Sequence, residues 1–359
     1  MGRNNEIPRN VLICRFSALG DVAMSIPVVY SVCRMNPGTR FIYITKPVQQ
    51  SLFVNPPENL IVLGVDVKNK YKGVLGLRRL LVELKEKYSI DALVDLHEVL
   101  RTRIIAFFCL TRGIRLSVIR KGRLNKRALT RSRNKVMLPL LSSRARYREA
   151  FYRLGFNMDQ DFNGLYGSGK GDPALFAEIT PPKQNGEQWI GIAPFAQHKG
   201  KIYPPEMMEK VVAEMSSRPS TKVFLFGGGE KEREILGSWA SKYPNVTSVA
   251  DKRHGFPVEL SLLSHLDIMV SMDSANMHLA SLVHVRVISI WGATHPYCGF
   301  KGYQQKESDI IQLSMTCRPC SVFGNKPCLR GDYLCLTGIN PQVIINKITS
   351  ILNQKADGR

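Results

Sequence analysis

The chain has 359 residues, 44% of them hydrophobic, with 50 Lys and Arg against 29 Asp and Glu and a formal net charge of +21. That length and apolar content suit two packed cores and exclude global disorder. The most apolar early run, Val11 to Val32, is broken by Arg15 and Asp21, so no window reads as a membrane span, and Met1 to Asn10 lacks the apolar stretch of a signal peptide. Glu6 stands where a myristoylation motif needs Ser or Thr, and the expectation is a protein that stays on the cytoplasmic side.

In chain order, Asn10 to Phe16 reads as a buried strand, Ser17 to Gly20 as a turn, and Asp21 to Met35 as a helix containing Pro27. Arg40 to Thr45 and Leu60 to Val65 are further strands. A helix from about Gly73 to Tyr88 leads into a strand at Ala92 to Leu96. Val99 to Arg148 then holds fifteen Lys or Arg and no Asp or Glu, where a merely solvated face would mix signs. Such a run suits nucleic acid, an anionic membrane surface or an acidic substrate. Between about Gly164 and Glu187 the composition shifts to Gly, Pro, Lys and Ser, which marks a linker. The alternation then restarts with strands at Trp189 to Ala193, Lys222 to Phe226, Ile268 to Met272 and Val285 to Trp291. Pro205 to Ser216 and Pro341 to Asn353 read as helices. Strands alternating with helices predict an α/β chain with two doubly wound, Rossmann-like parallel sheets facing a central cleft, ligands lying beyond the carboxyl ends of the strands. The domains are set at 1–165 and 188–359 with a linker at 166–187, and the last helix is free to pack back on the first domain.

Four constellations carry chemistry. Asp21, directly after the first strand and turn, is either a helix cap or a general base that takes a proton from an attacking hydroxyl. Asp273 ends a strand and Ser274 suits the N-cap of the next helix; the freed N–H groups of Ala275, Asn276 and Met277 would hold a diphosphate, with His278 one turn on. The alternative is an ordinary capped helix with a buried histidine. Gly227-Gly228-Gly229 forms another strand-to-helix turn, where Glu230 or Glu232 could accept from ribose hydroxyls, or where the glycines simply make a tight bend. In Pro194 to Pro204, Lys199 or Lys201 could meet negative charge developing on a leaving group, or be ordinary loop lysines. Hydrolase and P-loop motifs are missing, and Phe16 to Asp21 has one glycine where a dinucleotide fingerprint needs three, which argues against a nicotinamide enzyme.

Together, Arg15-Phe16-Ser17-Ala18-Leu19-Gly20-Asp21, Asp95-Leu96-His97 with Arg101 and Arg103, Ser271-Met272-Asp273-Ser274, His278-Leu279-Ala280 and Trp291-Gly292-Ala293-Thr294-His295-Pro296 resemble the lipopolysaccharide heptosyltransferase family, glycosyltransferase family 9. The resemblance spans roughly residues 10 to 350. It implies the two-Rossmann GT-B architecture and an inverting transfer of heptose, or a related sugar, from a nucleoside diphosphate donor of the ADP-heptose kind. The acceptor would be a hydroxyl of an acidic lipid A–Kdo type lipopolysaccharide core. In that frame Asp21 is the catalytic base and Lys201 steadies the departing diphosphate. Asp273, Ser274, Ala275, Asn276 and His278 bind the donor, and Gly228 and Glu232 are placed with them. Arg15, His97, Arg101 and Arg103 face the acceptor. The protein would be cytoplasmic and peripherally associated with the anionic inner face of the inner membrane, with no required cofactor and no specific nucleic acid. Ser274-Ala275 stands where many members have Thr-Gly, and His295-Pro296 where many have Asp-Pro.

Cys317, Cys320, Cys328 and Cys335 follow Cys-x₂-Cys-x₇-Cys-x₆-Cys and could hold a structural zinc or remain free thiols. Two rivals are kept. One is a nucleic-acid-binding protein using residues 101–148, although stacking aromatics are scarce there. The other is a nucleotide-sugar epimerase of the same fold.

Overall fold

The apolar run Asn10–Cys14 forms strand β1, and from Val11 to Cys14 every side chain is fully buried, as a strand covered on both faces requires. In this computed structural model, which describes residues 6–158 and 162–357, the strand is the centre of a five-stranded sheet. The first unit continues through α1 (Leu19–Met35), β2 (Arg40–Thr45), α2 (Pro47–Gln50), β3 (Leu60–Gly64), α3 (Gly73–Tyr88), β4 (Ala92–Asp95), α4 (Leu100–Leu110) and β5 (Arg115–Val118). Helix α3 shows how the sequence dictates its element: Leu77, Leu80, Leu81, Leu84 and Tyr88 recur at helical spacing and form its buried stripe. Lys85 and Lys87 complement the carboxyl end of its dipole, and Ser89 closes it in the left-handed region at φ 52°.

All pairings in this sheet are parallel, in the order β3-β2-β1-β4-β5. The order reverses between β1 and β4, so the loops after Cys14 and after Asp95 flank the switch point, where open α/β sheets bind ligands.

Two expected boundaries are corrected. Residues 123–140, including α5 (Arg123–Thr130), group with the second unit; the chain rejoins the first at Leu141, forms α6 (Ser143–Tyr152) and leaves again after Leu165. The stretch expected as a linker at 166–187 is fastened to the second unit as well. Phe176, fully buried, meets the Trp189 ring edge-on at 6.0 Å, Gly171 N–H donates to Ser264 Oγ at 2.8 Å, and Ser261 Oγ donates to the Asp172 carbonyl at 2.7 Å. Burying a phenylalanine contributes roughly 1.5–3 kcal/mol, enough with these hydrogen bonds to hold a Gly- and Pro-rich stretch in place.

The second unit then runs β6 (Gln188–Ala193), α7 (Pro205–Ser216), β7 (Thr221–Leu225), α8 (Glu230–Lys242), β8 (Val246–Ser248), α9 (Phe256–Ser264), β9 (Ile268–Met272), α10 (Ala275–Leu282), β10 (Val287–Ile290), β11 (Ile310–Ile311), α11 (Leu334–Thr337) and α12 (Pro341–Asp357). Its six parallel strands are ordered β11-β10-β9-β6-β7-β8, with the switch between β6 and β9. The last helix, α12, packs on α7. Its Ile344, Ile348, Ile351 and Leu352 lie in the second unit's own core. Among the described residues no helix is long and apolar enough to cross a membrane.

Candidate functional site

In the first unit the residues singled out in the sequence gather at the β1/β4 switch. Arg15, only 6% exposed, places its guanidinium 2.5 Å from Asp21 Oδ2 and donates to the Leu96 carbonyl. Asp21 Oδ2 also accepts the Ala18 N–H at 3.1 Å, which closes the start of α1. Asp21 is thus a cap, and 28% of its side chain stays exposed for a second task. Tyr147, from α6, donates to the Asp21 carbonyl at 3.3 Å and lies under the Arg15 guanidinium at 5.9 Å. Arg15 is therefore engaged with both Asp21 and the Leu96 carbonyl.

Buried Asp95 shapes the turn after β4, its Oδ1 accepting the N–H groups of His97 at 2.8 Å and Glu98 at 2.9 Å. This aims the His97 ring back at the first loop, with Phe16 N–H donating to Nδ1 at 3.4 Å and Nε2 lying 3.2 Å from Ser17 Oγ. With Nδ1 accepting, a neutral ring carries its proton on Nε2 and donates it to Ser17. Burial, together with the charges of Arg15 and Lys121, pushes the His97 pKa down to about 3. Arg103 is paired with Glu98 at 2.9 Å, whereas Arg101 makes no hydrogen bond or ion pair among the described residues.

The His97 shift has a testable sign. The native ring is neutral, and an unfolded one titrates near its ordinary value of about 6.5. Between that value and about 3, unfolding therefore takes up a proton. Stability falls as pH falls through this window, by at most about 1.4 kcal/mol per pH unit from this group. Urea midpoints across acid pH should decline more steeply for the wild type than for His97→Gln. Parallel curves would remove the buried neutral ring from the account.

In the second unit, Lys201 and Asp273 are far apart in sequence but meet at the β6/β9 switch. Asp273, 3% exposed, sits immediately after β9; its Oδ2 lies 2.9 Å from Lys201 Nζ and accepts from Thr294 Oγ1 at 2.8 Å. The 3-10 turn Lys199–Lys201 packs so tightly that a Cβ on Gly200 would come within 2.8 Å of the Gly324 carbonyl and 2.9 Å of Ala293 Cβ, so a side chain there would displace Lys201. Ala293 N–H donates to the Gly200 carbonyl at 2.8 Å, tying the two loops together. Lys199 instead lies exposed over the Tyr333 ring at 5.1 Å.

Ser274 occupies the N-cap position of α10 as expected, yet its hydroxyl turns away to Ser271 Oγ at 3.3 Å and makes no cap bond. The first turn of α10, with the N–H groups of Ala275, Asn276 and Met277, thus starts without a cap from Ser274, directly after the Asp273 that pairs with Lys201. His278 is buried on the same helix. At the glycine turn, Glu232 Oε2 accepts the Gly228 N–H at 2.7 Å; the carboxylate stabilises the turn first, and nothing lies within 4 Å of a Cβ placed on Gly228. His295, pushed down to about 4 by burial and by Arg318, accepts the Tyr297 N–H on Nδ1 at 3.1 Å, so a neutral ring caps this turn where an aspartate would use its carboxylate.

Sequence reasoning assigned no role to Arg318. Buried at 3% exposure, it donates to the carbonyls of Gly292, Leu313, Trp291 at 3.1 Å and Thr294 at 2.9 Å, and to Gln312 Oε1 at 3.0 Å. It thereby pins the loop that carries Thr294 against Asp273. Thr294 lay inside a recognised motif without a role, and Tyr147 and Arg318 have no local signal because their acceptors are mostly main-chain carbonyls. The cysteines lie around Arg318, with burial pushing the Cys335 thiol up to about 11 and the Cys320 thiol up as well. Among the described residues no group of three or more His, Cys, Asp or Glu is gathered to hold a metal ion.

The chain as a whole is similar to known proteins. A family model described as glycosyltransferase family 9 (heptosyltransferase) matches residues 77–327. Lipooligosaccharide heptosyltransferase 2 of Campylobacter jejuni is 20% identical over 338 residues, covering 93% of this chain and 96% of its own. A glycosyl transferase family 9 structure from Veillonella parvula matches with a TM-score of 0.73 at 16% identity over 99% of both chains. E. coli heptosyltransferase WaaC with ADP matches with a TM-score of 0.64, also at 16% identity, over 95% of this chain and 99% of its own.

Proposed function

The chain belongs to glycosyltransferase family 9, the heptosyltransferases, and from that premise we propose an inverting transfer of heptose from ADP-heptose to a hydroxyl of an acidic lipopolysaccharide-core acceptor. The observation that carries the donor side is the Lys201–Asp273 pair beside the uncapped start of α10. A diphosphate there meets one ammonium and several main-chain N–H groups, which favour it more as charge develops on departure. Asp273 and Thr294 hold Lys201 in place, and Gly228, Glu232 and His278 complete the donor surroundings.

On the acceptor side, Asp21 takes the proton of the attacking hydroxyl as its oxygen bonds to the anomeric carbon and the bond from that carbon to the diphosphate breaks. Arg15 fixes Asp21, neutral His97 offers a hydrogen-bonded Ser17 hydroxyl, and unpaired Arg101 meets an acceptor anion. These side chains supply the whole proposed sequence without a cofactor. The family match favours neither the nucleic-acid reading nor the epimerase, and an acceptor of this kind places the enzyme at the cytoplasmic face of the inner membrane.

The experiment is a calorimetric titration with ADP, UDP and GDP, for wild type and Lys201→Met. We expect ADP alone to bind, and at least tenfold more weakly in the variant through loss of a charge-assisted contact of about 1.5–3 kcal/mol. Binding of UDP or GDP in place of ADP would overturn the donor, and unchanged ADP affinity in the variant would remove Lys201 from the site.

A further inference from the structure

The segment from Arg123 to Leu140 stands apart in chemistry. It holds six basic residues, Arg123, Lys126, Arg127, Arg131, Arg133 and Lys135, and no carboxylate. Four large apolar side chains on it face water: Leu124 is 79% exposed and Leu138 63%, with Val136 and Met137 exposed between them in sequence. Neither property is an accident of a loose loop, because the segment is fastened from beneath. Leu129 is fully buried, Val136 N–H donates to the Ala128 carbonyl at 3.1 Å, and Leu140 N–H donates to the Tyr297 carbonyl at 3.0 Å. Lys126 lies over the Phe300 ring at 4.8 Å, and Lys135 donates to the Pro319 carbonyl at 2.9 Å. Two cations are thus used to hold the segment, while Arg127 and Arg133 form no hydrogen bond or ion pair among the described residues.

We infer that this segment is the surface by which the protein docks on an anionic lipid bilayer, its guanidinium groups meeting the headgroups and Leu124 with Val136-Met137-Leu138 entering the interfacial zone. The charge is complementary to an anionic leaflet, and apolar side chains held in water among cations match an interfacial element. A nucleic acid would reward the cations but not the aliphatic side chains, and the segment contains no aromatic residue on which a base could stack. Eight residues of α5 cannot span a bilayer, so the contact is one of lying on the surface. The inference deepens the reading above, since the proposed acceptor sits in such a leaflet.

The test is co-sedimentation of the full chain with vesicles of phosphatidylcholine alone or of phosphatidylcholine with phosphatidylglycerol, without donor or acceptor, so its outcome is independent of the transferase assignment. The expected result is binding only to the anionic vesicles, weakened by added salt. Arg127→Gln/Arg131→Gln/Arg133→Gln should weaken it ten- to a hundredfold, at about 1 kcal/mol for each cation near the surface. Leu124→Ser/Met137→Ser/Leu138→Ser, which changes exposed side chains only, should weaken it at least tenfold while leaving the thermal midpoint unmoved. Equal binding to both vesicles, no binding to either, or full binding by both triple variants would overturn the proposal.

Discussion

Asp21→Asn is expected to lower kcat by about 10²–10⁴, the range contributed by a positioned general base, with donor affinity unchanged. The substitution isolates the proton-accepting function. An asparagine can still accept the Ala18 N–H that Asp21 Oδ2 receives at 3.1 Å, so α1 keeps its start. The Arg15 ion pair is lost, but Arg15 keeps its bond to the Leu96 carbonyl and its place over Tyr147. A carboxamide cannot take the acceptor's proton, so the hydroxyl attacks as the poorer, protonated nucleophile. Initial rates at saturating donor, with calorimetric ADP binding as the control, decide the matter. A kcat within threefold of wild type would reduce Asp21 to a cap, the other reading its position allows.

Arg318→Met is expected to cost about 3–5 kcal/mol of folding stability and to weaken ADP binding together with it. A buried acceptor left without its donor costs about 1–3 kcal/mol, and this one side chain serves four carbonyls and Gln312. Partial relaxation and water entry keep the total below the simple sum, within the range of the most damaging single substitutions. Arg318→Lys is the informative companion: three donors on a flexible stem cannot replace a planar fork of five, so it should recover only part of the loss. Urea midpoints report the first effect. The second follows because the Trp291–Thr294 loop presents the Thr294 hydroxyl to Asp273, which in turn holds Lys201. A Met variant within about 1 kcal/mol of wild type would mean that the carbonyls find other donors and that the hub is not one.

The parts of this fold legible in the sequence are those whose signal is local. β1, β2 and β9 are predominantly apolar runs because both faces of a parallel sheet are covered, and α3 displays its leucines at helical spacing. The candidate site was legible as a set of residues but not as a set of pairings. Arg15 and Asp21 were both named, yet only the structure shows that one holds the other, because Arg15 reads equally well as a phosphate contact. Ser274 was placed at its helix start, but the hydroxyl's turn toward Ser271 depends on a rotamer that no spacing encodes. Residues 123–140 were assigned to the wrong half because their anchors, Tyr297, Phe300 and Pro319, lie more than 150 positions away in the chain.

That last assignment bears on how this chain can be cut or recombined. The backbone passes from one unit to the other three times, after Gly122, after Leu140 and after Leu165, so neither unit is one continuous stretch. A polypeptide ending at 165 would strand residues 123–140 without the contacts to Tyr297, Phe300 and Pro319 that hold them. A chimera spliced at that point to exchange donor specificity would seat one parent's basic segment on the other parent's second unit. A transplant that respects the packing carries 123–140 together with 166–359, as two inserts in a host chain.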